Sequence, residues 1–364
     1  MAYPSEVLYE PITGATVGVW RVDLPGGSMV LKQIHCGSSG DPRWPTSADP
    51  ASNYYWRREA DLLAPDSALR AALDGVPGGI RPVRCHGVFD RPDDTVALWL
   101  EHLTGVYGAR WDPDRYGIVA AQLGRTQGAL TESALLAAPE LSRTWLREHV
   151  ALHRADGDPL ARPGIWEPAL AAGLFAPDAP DRMNALWAKL PAWLDRVEAL
   201  PRTLTHFDFH PGNLFDADGE TVVIDWAYAG VGPVGLDPAC LALEAVYDHH
   251  LAPEVLPELF DLVVDGYATG YRQAGGILDA AAVRQAMIIG VAVKLGWTVP
   301  ALLEAVAENR ATLNGAPLAE GARNWAAAGN LLLNLVEDVD DGEPAPTSQT
   351  KRPPAGAAII EEKP

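Results

Sequence analysis

Leu204-Thr205-His206-Phe207-Asp208-Phe209-His210-Pro211-Gly212-Asn213 is a short apolar strand that runs into a loop carrying polar side chains at fixed spacing. Beyond it, Val222-Val223-Ile224-Asp225-Trp226 is a second apolar strand ending in a carboxylate. A turn at Pro211-Gly212 lets Asp208 and Asn213 face the same space. A hairpin through Asp216 to Glu220 then brings Asp225 back beside them. Phosphoryl transfer needs a group that orients the attacking hydroxyl and accepts its proton, here Asp208. It also needs oxygen ligands for Mg²⁺, which takes few from protein and the rest from phosphates and water, here Asn213 and Asp225. The alternation of His206, Asp208 and His210 also resembles a metal-hydrolase cluster. No further histidine stands at ligand spacing, however, and Pro211 ends the run at once. His206 is expected to support the loop by hydrogen bonding, and His210 to line the acceptor site or cap the turn.

Upstream, the first hundred residues read as strands. Val7 to Ile12, Val17 to Leu24 and Met29 to Ile34 are β-branched runs, and Pro25-Gly26-Gly27-Ser28 is a hairpin signal. Cys36 to Ser52 reads as a loop, Asn53 to Leu63 as a helix ended by Pro65, and Val83 to Phe89 and Val96 to Glu101 as two more strands. Two charges stand where hydrophobes belong. Period-two alternation places Lys32 between Val30 and Ile34 on one face. Glu59 stands within the helical stripe Tyr55, Trp56, Glu59, Leu62, Leu63. Each alone reads equally as a snorkelling edge-strand lysine or an exposed helix glutamate. Together they satisfy each other, because a lone buried charge costs several kcal/mol. A third-strand lysine paired with a glutamate of the next helix is the arrangement that holds nucleotide phosphates in kinases.

From Tyr116 onward the pattern is helical: Tyr116 to Leu130, Thr144 to His153, Asp181 to Leu200, Leu236 to Tyr247, Pro257 to Arg272, Ala280 to Leu295 and Ala322 to Val336. The short strands from Thr203 to Trp226 interrupt it once. The most apolar run, Ala286 to Ala307, is broken by Lys294 and Pro300 and reads as buried helix, not as a membrane span. Asp248-His249-His250 reads either as a contact for substrate or metal or, since it lies at a helix end, as histidines that complement the helix dipole; the second reading is favoured. From Glu337 the chain is acidic and then Pro/Ala-rich, which reads as a disordered tail.

On these motifs the chain resembles the aminoglycoside phosphotransferase family, a group of protein-kinase-like small-molecule kinases related to choline and homoserine kinases. The resemblance spans Leu8 to about Val336. It implies an α+β, two-lobed, protein-kinase-like fold. An N-terminal antiparallel sheet lobe with one main helix (1–101) is followed by a hinge (102–105), a larger, mostly helical C-terminal lobe (106–336) and a tail (337–364). It implies that Asp208 is catalytic, that Asn213 and Asp225 bind Mg²⁺, and that Lys32 and Glu59 hold the phosphates. Leu98 to Gly105 resembles the inter-lobe hinge, where the backbone of Glu101 and Leu103 meets the adenine edge. Gly235-Leu236-Asp237-Pro238-Ala239 resembles the segment after the metal aspartate, with Asp237 structural. Two stretches depart from protein kinases. Thr13 to Gly18 is not the kinase glycine pattern, so phosphate contacts by its backbone have little support; Ile-Asp-Trp stands in place of Asp-Phe-Gly and the activation-loop landmarks are absent, so no protein substrate is expected.

The expected activity is transfer of the γ-phosphate of ATP, with GTP left open, to a hydroxyl of a small molecule. Acceptors include an aminoglycoside or another amine-bearing natural product. A nucleotide-binding pseudokinase with a regulatory role, or a housekeeping metabolite kinase of choline, homoserine or sugar type, stand as alternatives. The 364 residues carry 28 basic and 48 acidic side chains, a net charge of −20. Such a surface repels phosphate backbones and anionic lipid, which argues against nucleic-acid and membrane partners. It would steer a cationic acceptor, though acidic surfaces also serve solubility alone. Asp156, Asp158 and Glu167 read equally as amine ligands and as solvated loop charges. Cys36, Cys85 and Cys240 lie far apart without metal-ligand spacing, and no secretory signal opens the chain, so a cytoplasmic location is expected. The twelve tryptophans read as core, with Trp56 in the first lobe and Trp226 under the catalytic loop.

Overall fold

The computed structural model describes residues 4–9, 14–37, 45–154 and 159–339. Strands β1 (Ser5–Tyr9), β2 (Thr16–Leu24) and β3 (Gly27–His35) are followed by helices α1 (Arg58–Leu63) and α2 (Ala68–Asp74). Strands β4 (Arg81–Pro82), β5 (Cys85–Asp90) and β6 (Thr95–Glu101) come next. The main sheet is antiparallel, in the order β1-β2-β3-β6-β5. The β2–β3 turn needs Gly26, whose φ is +109°, a conformation open to glycine at little cost. Lys32 lies mid-sheet, opposite Val19 on one side and Leu98 on the other. Beside it Ile34 is buried.

Helix α1 is shorter than the sequence pattern suggests. Residues 50–57 form turns instead of the expected helical start at Asn53. The cause is Arg58, whose guanidinium takes the carbonyls of Ser52 (2.5 Å) and Asn53 (2.9 Å), acceptors that a helix would have used itself. The core-facing residues of α1 are nonetheless the expected ones, Glu59, Leu62 and Leu63, together with Ala60.

The second lobe opens with β7 (Val106–Tyr107), after residues 102–104 pass outside any regular element. It continues through helices α3 (Pro113–Leu130), α4 (Trp145–Arg154), α5 (Glu167–Ala171) and α6 (Ala179–Glu198). Strands β8 (Arg202–Thr205), β9 (Leu214–Ala217), β10 (Glu220–Val223) and β11 (Gly230–Pro233) follow, with α7 (Leu236–Tyr247), α8 (Leu256–Gln273), α9 (Ala280–Leu295) and α10 (Thr298–Ala307). The minor strands β12 (Thr312–Leu313) and β13 (Ala316–Pro317) precede α11 (Leu318–Leu335). A sheet in the order β4-β10-β9-β7 joins strands from both sides of the 102–104 connection. Val83 extends it by donating to the Val223 carbonyl at 2.9 Å. The two lobes are therefore stitched together at the hairpin that carries the central motif.

The apolar stretch from Ala280 to Ala307 is long and apolar enough to cross a membrane, yet 89% of its most apolar part is buried inside the fold. The first residues of the segment expected as a tail belong to the fold: Val336–Asp338 form a 3₁₀ turn and Val339 packs into the core. The remainder of that segment, like Asp156 and Asp158, lies outside the described residues.

Helices α3 and α8 approach closely through glycines. A Cβ on Gly270 would stand 2.0 Å from the Ala121 carbonyl oxygen, and one on Gly266 2.3 Å from that of Gly117. This pair also sets the segment that leads into residues 206–213. From it, Tyr267 donates to Gln127 at 2.6 Å, and Gln127 donates onward to Asp237 and to the Leu204 carbonyl, both at 3.0 Å. Gly270→Val is expected to lower the unfolding free energy by about 1–3 kcal/mol through overpacking. Urea unfolding measures this, and an unchanged midpoint would contradict the close contact.

Candidate active site

Strand β8 delivers the chain to the loop 206–213 in a strained conformation. Phe207, directly before Asp208, has φ +65°, which for a bulky residue persists only when the surroundings over-determine it. They do so here. Its amide donates to Asp237 Oδ1 at 3.0 Å, its carbonyl accepts from Lys294 Nζ at 2.8 Å, and its ring stacks on Trp145 with centroids 4.7 Å apart. Asp237 also accepts from the His206 amide at 2.8 Å. Burial raises the Asp237 carboxyl to about 6, against the hydrogen bonds from His206 and Phe207 that lower it. Lys294 in turn is paired with Glu244 at 2.9 Å inside the lobe. Burial opposes its charge, but the Glu244 and Asp208 carboxylates outweigh burial and raise its pKa.

Asp208 is thus aimed by its predecessor and held by Asn213, whose Nδ2 donates to the Asp208 carbonyl and to Oδ2, each at 2.9 Å. The 3₁₀ turn Pro211–Asn213 sets this geometry, with the Gly212 amide donating to His210 Nδ1 at 3.3 Å. Tyr107 pins the same turn by donating to the Gly212 carbonyl at 3.1 Å. His206 is buried and its Nε2 lies 3.0 Å from the Ile224 carbonyl, tying the loop to the residue before Asp225. Burial pushes its pKa down. His210 reaches toward Asp208 and Asp248; burial works against its charge, but Asp208, Glu244 and Asp248 raise its pKa.

The two charges singled out in the first lobe meet. Lys32 Nζ lies 2.5 Å from Glu59 and 2.9 Å from Asp225, and both Lys32 and Glu59 are almost fully buried. Burial disfavours the Lys32 ammonium, yet the Asp225 and Glu59 carboxylates together raise its pKa. Burial likewise raises Glu59, opposed by Lys32 and by a hydrogen bond from the Trp226 amide. Asp225 is held low: burial raises it, but Lys32 more than offsets that. Asp225 adopts φ +58°, which an aspartate tolerates better than most residues, and Trp226 anchors the corner by donating its indole N–H to the Val223 carbonyl at 3.0 Å.

One ammonium between two carboxylates leaves this cluster with an excess negative charge, the condition a divalent cation relieves. Asn213 spends its amide N–H on Asp208, which leaves its side-chain oxygen for a ligand. Asp225 is 44% exposed at the side chain and supplies a second hard oxygen. The donor set suits Mg²⁺, which accepts one or two protein oxygens and completes its shell from phosphates and water. Lys32, Glu59 and Asp225 line a cleft together with Gly14, Ala15 and Thr16 of the first hairpin. That hairpin lacks the kinase glycine pattern, yet its described part does face the site.

Of the two residues expected at the hinge, Glu101 closes β6 and Leu103 lies in the connection that follows it. The Glu101 amide donates to the Arg84 carbonyl at 2.9 Å, and its carboxylate pairs with Arg81 and accepts from the Arg84 amide at 2.7 Å. Leu103 is half-buried against the core. Glu167 is exposed at the start of α5.

Arg58 and Lys294 are the positioning residues that the sequence did not assign. Arg58 is fully buried, without a carboxylate partner in hydrogen-bonding contact among the described residues. It donates to four carbonyls: Ser52, Asn53, Ala227 (2.9 Å) and Glu140 (2.7 Å). Burial lowers its pKa to about 10. It clamps α1, and hence Glu59, to the segment after Asp225 and to the second lobe. Arg58→Lys is expected to lower stability by roughly 1.5–3 kcal/mol, the worth of a lost hydrogen bond to a charged group. Chemical denaturation measures this, and unchanged stability would show that the clamp carries no load.

A sheet lobe and a helical lobe meeting over these residues define a protein-kinase-like fold. The chain belongs to the phosphotransferase enzyme family, whose family model matches residues 12–277. Among curated proteins, none matches its sequence significantly. Among solved structures it is similar to the amicoumacin kinase hAmiN, in complex with AMP-PNP, Ca²⁺ and Ami, at 15% identity and a TM-score of 0.50, covering 91% of this chain and 88% of that one. It is also similar to choline kinase from Cryptosporidium parvum Iowa II, at 12% identity and a TM-score of 0.50, covering 92% and 89%.

Proposed function

We propose that the protein transfers the γ-phosphate of ATP to a hydroxyl group of a small molecule, with Mg²⁺. The observation that carries this reading is the convergence of buried Lys32 and Glu59 with the half-exposed Asp225 in one ion cluster, with Asp208 fixed by Asn213 on the adjoining loop. His206, two residues before Asp208, reaches the carbonyl of Ile224 at 3.0 Å, so the loop of Asp208 is tied to the residue before Asp225. In this reading Lys32 Nζ donates to the α- and β-phosphate oxygens, and Glu59 keeps it in place. Asp208 Oδ accepts a hydrogen bond, and then the proton, from the acceptor hydroxyl. Asn213 and Asp225 would hold Mg²⁺, which supplies charge neutralisation on the phosphates. Catalysis rests on positioning and a preorganised electrostatic site.

The acceptor class includes aminoglycosides and other amine-bearing alcohols, since the chain carries a net charge of −20 and Asp208 adds a carboxylate where the acceptor hydroxyl would bind. The cytoplasm suits the three free cysteines, of which Cys36 is exposed. ADP release from ATP and Mg²⁺, measured across aminoglycosides, nucleosides, sugars, choline and amino alcohols, tests the reading. Acceptor-dependent turnover that Asp208→Asn abolishes supports it. Turnover that is identical in the folded Asp208→Asn variant overturns the assignment of Asp208.

A further inference from the structure

Beside the catalytic loop lies a cluster that phosphoryl transfer leaves unused. Helix α7 ends at Tyr247, and the next residues turn back toward the loop 206–213. His249 takes φ +64° at this corner. It is fixed there by Asn324, 2.9 Å from its Nδ1, and by the Asn314 carbonyl, 3.2 Å from its Nε2. The residues on either side of it, Asp248 and His250, thereby reach His210 from the catalytic loop. One ligand atom from each of the three lies within 4.8 Å of the other two. The sequence places His210 and His250 forty residues apart, so only the fold shows the grouping.

We propose that His210, Asp248 and His250 form a binding site for a transition-metal ion of the Zn²⁺ type, separate from the Mg²⁺ ligands Asn213 and Asp225. Two imidazoles and one carboxylate are a donor set for zinc, whereas Mg²⁺ prefers oxygens alone. Ligands placed 2.0–2.1 Å from a tetrahedral centre stand about 3.3 Å apart. His210 Nδ1 and Asp248 Oδ2 are already 3.4 Å apart. The third ligand therefore needs to close by at most about 1.5 Å, within side-chain rotation.

The surroundings supply the orienting contacts that metal sites use. Asn314 donates to Asp248 Oδ1 at 2.9 Å, which leaves Oδ2 turned to His210. His210 Nε2 lies 3.8 Å from Asp208 Oδ2, so a metal on Nδ1 would leave the opposite N–H facing a carboxylate. No lysine or arginine pairs with Asp248 among the described residues, and the amide of Gly212 reaches Nδ1 only at 3.3 Å, a contact that a metal replaces. Three protein ligands leave a fourth position for an external donor. The site would thus bind the 248–250 corner to the loop that carries Asp208.

Isothermal titration of the metal-stripped, tag-free full chain with ZnCl₂ tests the proposal without reference to activity. One equivalent of Zn²⁺ should bind, and excess Mg²⁺ should not displace it. His250→Ala and Asp248→Asn should each weaken binding about 100-fold or more, and Asn314→Ala, which removes only the orienting contact, about 10–100-fold. Circular dichroism identifies any variant that fails to fold, and the remaining variants still decide the result. Absence of stoichiometric uptake by the wild-type chain, or uptake that the folded variants leave unchanged, overturns the site. Loss of phosphotransfer alone bears on the proposed function and not on this metal.

Discussion

Asp208→Asn is expected to lower kcat by about 10²–10⁴-fold, the usual worth of a positioned general base, while KM for Mg-ATP changes little. Asparagine keeps the size of the side chain and its contact with the Asn213 amide, so the loop stays in place. What disappears is the acceptor for the hydroxyl proton. The hydrogen bonds that brace Phe207 come from Asp237 and Lys294, and Lys294 keeps its ion pair with Glu244, so the variant should stay folded. Steady-state kinetics with a competent acceptor, run beside urea unfolding, separates these effects. A folded variant with unchanged kcat would exclude Asp208 as the base.

Asp225→Asn is expected to lower kcat/KM for Mg-ATP on the order of 10²–10³-fold, the scale of losing one preorganised electrostatic group. Two effects combine. The site loses a charged oxygen ligand for Mg²⁺, and Lys32 keeps only Glu59 as its counter-ion. The Lys32 ammonium would then be balanced one to one, which removes the negative excess that favours a divalent cation. Raising Mg²⁺ should recover part of the loss for Asp225→Asn and none for Asp208→Asn. Titration of activity with Mg²⁺ in both variants measures this. An identical Mg²⁺ response in the two would contradict separate roles.

Much of the site was legible because its members break a local pattern. Lys32 interrupts an alternating apolar strand face and Glu59 an apolar helix stripe, and both are buried as that reasoning required. Asp208, Asn213 and Asp225 come from one contiguous loop and hairpin, so their grouping needed no long-range information. Arg58 was illegible for the opposite reason. Its partners are four backbone carbonyls scattered between Ser52 and Ala227, and carbonyls have no sequence signature. The same contacts explain why the helix expected from Asn53 begins only at Arg58. Lys294 was visible as a charge in an apolar run, but its partners, Glu244 and the Phe207 carbonyl, are set by helix packing. Pro300 read as an interruption; it stands in the first turn of α10, where a missing N–H costs nothing. Asp248 and His250 read as a helix end, which they are, and only the left-handed turn at His249 carries them to His210.

The most direct measurement is equilibrium binding of AMP-PNP to the full chain, with and without Mg²⁺, in wild type and in Asp225→Asn. If Lys32, Glu59, Asn213 and Asp225 form a nucleotide-phosphate site, wild type binds AMP-PNP in a Mg²⁺-dependent manner and Asp225→Asn loses that dependence. If the wild-type chain fails to bind the nucleotide at millimolar concentration with Mg²⁺ present, the buried Lys32 cluster is only a structural ion network and the phosphotransfer reading falls.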